Sequence, residues 1–438
     1  MKPPVIPRFT RTHPARHGEH GITMILVAVA MVAIIAMAAL SIDVVTLYLA
    51  REEAQRSADA AALAAARVIS LSGATGDPGD ATGDWSTACI AATQTAQAVA
   101  NQNAVNNAAA TTVNVNFVYN GTAVANCAFA AGNAFGVNPQ VQVQVIRASL
   151  PTFFSRIWSR NTNSVSATAT AEAFNSSASG TFAPNGIVPV NPRCVKPWII
   201  SNKFDPANPT STFVNPSDGS ITNPGIQVNG AGTGVIGETF TLSVPAACTG
   251  GSCSNMQGIA VPTGYYIAAH VATPVSAYPV CADDSTFQEA VGGCDQSTPY
   301  ACGIANGAQA DLSINPKSDT REAGQCLIHS TGPDQLDTTL FPYQIKAGSA
   351  NPVITSGVVT SSTSIATVPI YDGAVLGSTN NPTITIVGFL QVFINQVNGD
   401  GSFNVTVLNV AGCSNTATAS TPTVSGSSPV PIRLITPQ

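Results

Sequence analysis

From Ile22 to Ser70 the chain contains neither glycine nor proline, and the first stop signal is the turn Gly73-Ala-Thr-Gly-Asp77. A run of this length without a breaker predicts one continuous helix, a rod of about 70 Å at roughly 1.5 Å per residue. Its first part, Ile22 to Ile42, is apolar apart from Thr23 and Ser41. About 20 such residues cross the hydrocarbon core of a bilayer. The expected element is therefore a transmembrane helix over 22–42 that leaves the lipid and continues into water.

The projecting half is amphipathic. Val44, Leu47, Ala50, Ala54, Ala58, Ala61, Ala65 and Val68 recur at steps of three and four, which places them on one helix face. Arg51, Glu52, Glu53, Gln55, Arg56 and Asp59 occupy the other side, with Glu52 and Arg56 four apart in the favourable order. A stripe made mostly of alanine lets another backbone come close. It packs either on this chain's own sheet or on a partner helix, and the spacing does not choose between the two.

Residues 1–20 carry Lys2, Arg8, Arg11 and Arg16 against a single acid, Glu19. Positive charge ahead of the span places the N-terminus in the cytoplasm and the body outside. Three readings of the apolar run compete. A cleaved signal peptide would have a shorter apolar core and a small-x-small site, for which Ala36-Met-Ala38 is available. A prepilin leader would be cut after Gly21, but the fifth mature position, where that pattern has Glu, is Leu26. A retained anchor accounts for the length of the run and is the expectation.

The segments Leu40-Ser-Ile-Asp-Val44, Leu47-Tyr-Leu-Ala-Arg51 and Gln55-Arg-Ser-Ala-Asp-Ala-Ala-Ala-Leu-Ala-Ala-Ala66 follow the apolar run directly. Together they resemble the N-terminal segment of TadE/TadG-like proteins of bacterial Flp pilus (tight adherence) assembly. The resemblance is strong over roughly residues 16–70 and weakens over 85–175. It implies a single-pass component of the bacterial inner membrane, its C-terminal part periplasmic, with pilin or other pilus-assembly proteins as partners. It does not imply catalysis. Some TadG-like proteins carry a von Willebrand A module with an Asp-x-Ser-x-Ser metal loop, and Asp283-Asp-Ser-Thr-Phe287 does not have that spacing.

Beyond the rod, residues 71–84 read as a loop whose Asp77, Asp80 and Asp84 lack the alternate-residue spacing of a calcium loop. Trp85–Asn107 reads as a second helix, with Cys89, Ala92, Ala96, Val99 and Asn103 at helical spacing. Thr111–Tyr119, Val141–Ile146 and Ser164–Phe174 alternate as strands. Between the last two, Pro151 opens a short helix with Phe153, Phe154, Ile157 and Trp158 on its apolar face, expected to plug the sheet. The strand, the Leu150-Pro-Thr-Phe-Phe segment and the Ala-rich strand also resemble TadE/TadG relatives. This gives an α+β fold: an N-terminal transmembrane helix that continues into a long pilin-like helix packed on a small antiparallel sheet, followed by a β-rich domain. The expected divisions are a basic tail 1–21, the span 22–42, the α+β unit 43–175, a linker 176–186, and a β-rich domain 187–438 with disulfide-stapled loops.

In that last domain the expected strands are 187–190, Trp198–Ile200, Thr239–Val244, Tyr265–Val271, Ser364–Tyr371, Thr383–Val397 and Ser402–Val410. Asn398-Gly-Asp-Gly401 makes a hairpin turn and Gly388 marks a bulge. The arrangement expected is a sandwich or an open sheet, with 274–363 irregular.

Ten cysteines follow the span: Cys89, Cys127, Cys194, Cys248, Cys253, Cys281, Cys294, Cys302, Cys326 and Cys413. An even number in an oxidising compartment favours disulfides, and the absence of any Cys-x-x-Cys argues against a zinc ribbon or a thioredoxin-type site. Cys248 and Cys253 flank a flexible Thr-Gly-Gly-Ser loop and form the easiest local pair, while Cys281, Cys294, Cys302 and Cys326 are expected to staple the irregular region. Only His270 and His329 lie outside the N-terminal tail. With no Gly-x-Ser-x-Gly elbow beside them, a hydrolase is the weakest reading. No catalytic, cofactor-binding or metal residue is expected, and no small-molecule substrate. Charged residues make up 9 % of the chain, with a net charge of −6 and no basic block after the tail, which excludes a nucleic-acid binder. The expectation is a non-enzymatic, anchored envelope protein. The alternative is a surface-adhesive or ligand-binding envelope protein with no part in pili.

Overall fold

The computed structural model describes residues 20–77, 83–119, 122–124, 127, 138–152, 162–175, 190–203, 212–271, 285–298, 300, 308–413, 424–426 and 428–435. Expectations for the Phe153–Trp158 helix, the 176–186 linker, Asp283, Asp284, Cys281 and Cys302 fall outside them.

The chain combines helix and sheet, with a long apolar N-terminal helix and a β-rich C-terminal region. Helix α1 runs without interruption over His20–Ser72, 53 residues, as the lack of a breaker predicts. Helix α2 covers Asp84–Gln102. It stops short of the expected Asn107 because the chain turns extended at Asn103 (φ −88°, ψ 96°), after which Asn106 and Asn107 bend it back at positive φ. Strands β1 (Thr112–Tyr119), β2 (Thr122–Val124), β3 (Gln140–Pro151) and β4 (Thr162–Ala173) follow. Then come β5 (Val190–Pro192), β6 (Trp198–Ser201), β7 (Thr239–Leu242), β8 (Tyr266–Ala268), α3 (Thr286–Gly292) and α4 (Lys317–Leu327). The order closes with β9 (Gln335–Asp337), β10 (Gln344–Lys346), β11 (Val358–Val359), β12 (Ile365–Tyr371), β13 (Ile386–Val397), β14 (Phe403–Gly412), β15 (Val424–Gly426) and β16 (Ile432–Ile435).

The first sheet has the antiparallel order β16-β4-β3-β1-β2. In β3 the alternation Gln-Val-Gln-Val-Gln-Val sends Val141, Val143 and Val145 inward, each 0 % exposed, against α1 and α2. β4 offers Ala167, Ala169, Ala171 and Ala173 to the same core. Alanine on both sides of the contact lets the helix backbone lie close to the sheet. The last strand, β16 (Ile432–Ile435), falls within the stretch expected as the β-rich unit and pairs with β4 of this first sheet. Short parallel pairing of β15 with β5 accompanies that return.

The second sheet has six strands in the order β7-β14-β13-β12-β6-β8. Its neighbours are antiparallel except β12 with β6. The hairpin β13–β14 turns at Asn398–Gly401 as expected, closed by the Asn398 amide donating to the Ser402 carbonyl. The expected irregularity beside Gly388 is present, since Ile370 pairs with Gly388 and Tyr371 with Ile386. β13 is buried on both faces over its first nine residues. Leu390, Val392 and Ile394 join one core with Trp198, Phe287 and Leu327, whereas Phe389 joins another with Ile199 and Tyr371. The region expected to be irregular contains α3, α4 and a small sheet β11-β10-β9. α4 buries Thr320, Ala323, Gly324 and Leu327 at helical spacing, a face with one large apolar side chain, Leu327, opposite charged residues.

Candidate functional site

The features that bear on function lie along α1, from its exposed apolar half to the point where its C-terminal end meets the β-rich region. Over Met24–Val45 the large apolar side chains are exposed, among them Met24 at 77 % and Val32 at 67 %. Thr23–Ser72 holds the described stretch long and apolar enough to cross a membrane, and 6 % of its most apolar window is buried. A core helix of a soluble fold would have that window covered. A signal sequence passes the same length and composition test.

Above this half the helix enters the fold. Ala50, Ala54, Ala58, Ala61 and Ala65 are 0–2 % exposed, and Leu47 and Val68 pack partly buried against the same core. The cover comes from this chain. The Gln55 side-chain amide donates to the Thr168 carbonyl of β4 at 3.4 Å, and the buried Ser57 hydroxyl donates to the Ala100 carbonyl of α2 at 3.3 Å. Ala88, Ala92, Ala96 and Ala100 of α2 form the facing stripe, each 0 % exposed. Val44 does not share this environment, being 56 % exposed. The buried line runs instead through Ala39 (7 %), Asp43 (4 %) and Leu47. Sequence reasoning missed Asp43 because a carboxylate inside an apolar stripe reads as belonging to the polar side. On that polar side Arg51, Glu52, Glu53 and Arg56 are exposed. Glu53 accepts a hydrogen bond from the Asn106 amide at 2.6 Å, whereas Glu52 and Arg56 form no ion pair among the described residues.

The far end of α1 is held by polar contacts to distant parts of the chain. The Ser70 hydroxyl donates to the Val430 carbonyl at 2.7 Å, and the Asn409 side-chain amide of β14 donates to the Ser70 carbonyl at 2.8 Å. Asn175, fully buried, donates to Thr75 and to the Val410 carbonyl. At Gly73, φ is 77° and an added Cβ would stand 2.6 Å from Ile236 Cγ2 and 3.0 Å from the Leu408 carbonyl oxygen, so the approach of helix end to sheet requires glycine. The Arg433–Glu172 ion pair at 3.3 Å crosses the β16–β4 pair. Burial raises the Glu172 carboxyl despite the Arg433 guanidinium, which pulls the other way. Between α1, α2 and the β9–β11 sheet lies a groove of about 290 Å³ lined largely by apolar side chains such as Val68, Leu71, Val99, Tyr343 and Ile345.

The cysteines pair as Cys89–Cys127, Cys194–Cys294 and Cys248–Cys253, and Cys326 and Cys413 are disulfide-bonded as well. Cys248–Cys253 is the local pair expected. Cys294, in the region expected to be stapled, reaches back 100 residues to Cys194 and ties α3 to the strand entering β6. His270 pairs through Nδ1 with Asp311 at 3.4 Å, and the Ser313 hydroxyl donates to that same carboxylate, not to the imidazole. His329 Nδ1 lies 3.3 Å from the Thr363 hydroxyl. The Asp334 carboxylate lies near enough to His329 to feel its charge, but its hydrogen bonds go to Ser362, Asn351 and the Gly348 amide. No group of three or more His, Cys, Asp or Glu stands together among the described residues.

No curated protein and no solved structure matches the chain. Residues 21–68, which take in the membrane-compatible half of α1 and its alanine face, fit the family Tad, described as "Putative Flp pilus-assembly TadE/G-like".

Proposed function

We propose that the protein is a single-pass, non-enzymatic component of a Flp-type pilus assembly or related secretion apparatus. Its N-terminus faces the cytoplasm, its helix is retained in the inner membrane, and its folded body stands in the periplasm against pilin or other assembly proteins. The observation that carries this reading is the continuity of α1. One unbroken helix has an exposed apolar half, a half buried in its own fold, and the segment that fits the pilus-assembly family. A helix fixed at both ends transmits force and position between membrane and body, which suits an assembly scaffold. The working division keeps the span at 22–42, an α+β unit at 43–175 and a β-rich unit at 187–438, the last strand being shared with the first unit.

Deleting the gene and counting surface pili tests the reading, with the wild-type gene and a C-terminal reporter fusion supplied back. Pili should be lost and then restored, and a reporter that works only outside the cytoplasm should be active. Normal piliation in the deletion strain would reject the role in pili. Normal piliation together with lost surface adhesion would favour an adhesive envelope protein instead.

A further inference from the structure

A second cavity, of about 260 Å³, lies where the most distant parts of the chain converge, and the pilus reading makes no use of it. Arg67 comes from α1, Lys196 from the segment entering β6, Gln391 from β13 and Ser428 from the approach to β16; the Cys194–Cys294 bridge forms part of the wall. Among the described residues no acidic side chain lines it. Lys196 is 6 % exposed, and its ammonium donates to the Gly293 carbonyl at 2.6 Å. The half-buried Arg67 guanidinium makes one long bond, 3.4 Å to the Thr360 carbonyl. Neither cation has an ion-pair partner among the described residues. Asp334, which accepts from the cavity-lining Ser362, is also bonded by Asn351 and the Gly348 amide. Gln391 is 2 % exposed, and its Oε1 has no hydrogen-bond partner among the described residues.

Buried cations without a counter-charge are costly, and so is a buried acceptor without a donor. Burial lowers Lys196 to about 8 and also lowers Arg67, as expected of cations that lack a facing anion. A ligand that answers all three groups carries negative oxygens for the cations and a hydroxyl for the carbonyl of Gln391. The cavity has room for such a group with water beside it, at about 30 Å³ for each liquid water.

We propose that this cavity binds a small oxyanion bearing a hydroxyl, of the hydrogen-phosphate class. Its anionic oxygens are held by Lys196 and Arg67, and its hydroxyl donates to Gln391 Oε1. Occupancy would couple α1 to the β-rich region, because the two cations come from opposite sides of that boundary.

The test is calorimetric titration of the full-length protein in detergent at pH 7.0 with sodium phosphate, beside sodium sulfate and sodium chloride at matched ionic strength. Phosphate should bind saturably, sulfate, which has no hydroxyl at this pH, at least about tenfold more weakly, and chloride not at all. Lys196→Met and Arg67→Gln should each weaken phosphate at least about tenfold, since each removes a charge-assisted hydrogen bond. Arg67 is half-buried, so its variant tests the site even if the Lys196 variant misfolds. Gln391→Leu should bring phosphate down toward sulfate. Absence of saturable phosphate binding, equal binding of sulfate, or phosphate affinity unchanged in folded Arg67→Gln would each overturn the proposal. None of these outcomes depends on whether pili form.

Discussion

Replacing Ala58 by leucine asks the long helix to accept bulk at the centre of its buried face. Ala58 is 0 % exposed, and so are its stripe neighbours Ala54, Ala61, Ala62 and Ala65. The facing β4 positions Ala167, Ala169 and Ala171 and the α2 positions Ala92 and Ala96 are alanines too. An alanine cannot rotate out of the way. Room for three added carbons must therefore come from moving helix against sheet. Overpacking a well-filled core costs about 1–3 kcal/mol, and the lack of yielding neighbours places this site near 3. That is roughly a hundredfold in the folding equilibrium. The assay is urea denaturation of the full-length protein in detergent, followed by loss of helical dichroism, with Arg51→Ala as the exposed control expected within about 0.5 kcal/mol of wild type. If Ala58→Leu unfolds at the same urea concentration as wild type, the stripe is not packed on this chain's own sheet, and the account of α1 as a seated rod fails. Unchanged stability with lost piliation would hand the stripe to a partner.

Three further outcomes follow from the same geometry. Gly73→Ala should destabilise by about 1–3 kcal/mol in the same assay, because its Cβ would press on Ile236 and the Leu408 carbonyl from a left-handed backbone; a neutral result would mean that the helix end is not held there. Thiol labelling of the denatured, unreduced protein should find at most two reactive cysteines of the ten, since eight are disulfide-bonded, and labelling of six or more would sink the disulfide framework. Lys196, lowered by burial from 10.5 to about 8, penalises the fold in full below pH 8, where both states are charged. As pH rises from about 8 to 10.5 the folded state sheds its proton first, so stability relative to Lys196→Met should improve by roughly 3 kcal/mol. A stability difference that stays flat between pH 7 and 10.5 would contradict the burial of that ammonium.

Much of the secondary structure is legible in the residues because it is written in local spacing. α1 is a helix wherever no residue stops it, β3 alternates because valine and glutamine alternate, and Asn398–Gly401 turns because its composition favours a turn. The misses have equally local causes. The buried face of α4 is small except for Leu327, so an apolar count passes over it, and Asp43 lies inside a stripe where spacing alone assigns a carboxylate to the polar side. The cation-lined cavity was not legible at all. Arg67 and Lys196 are ordinary surface-type residues in the sequence, and only their convergence on Gln391 distinguishes them.

By itself, then, the sequence determined one long helix with an apolar first half and an alanine face, a run of alternating strands after it, and cysteines in disulfide-forming number. Periodicity and the absence of breakers act within a few residues, so they can be read without knowing where the chain goes. Tertiary structure decided which surface covers the alanine face, that Cys294 pairs with Cys194, that Ile432–Ile435 returns to β4, and that Ser70 meets both Asn409 and Val430. The last three join residues 100 or more apart, and the first joins separate elements of the chain, where local spacing carries no signal. The pairing is set by the path the folded chain takes in burying its apolar surface and satisfying its backbone.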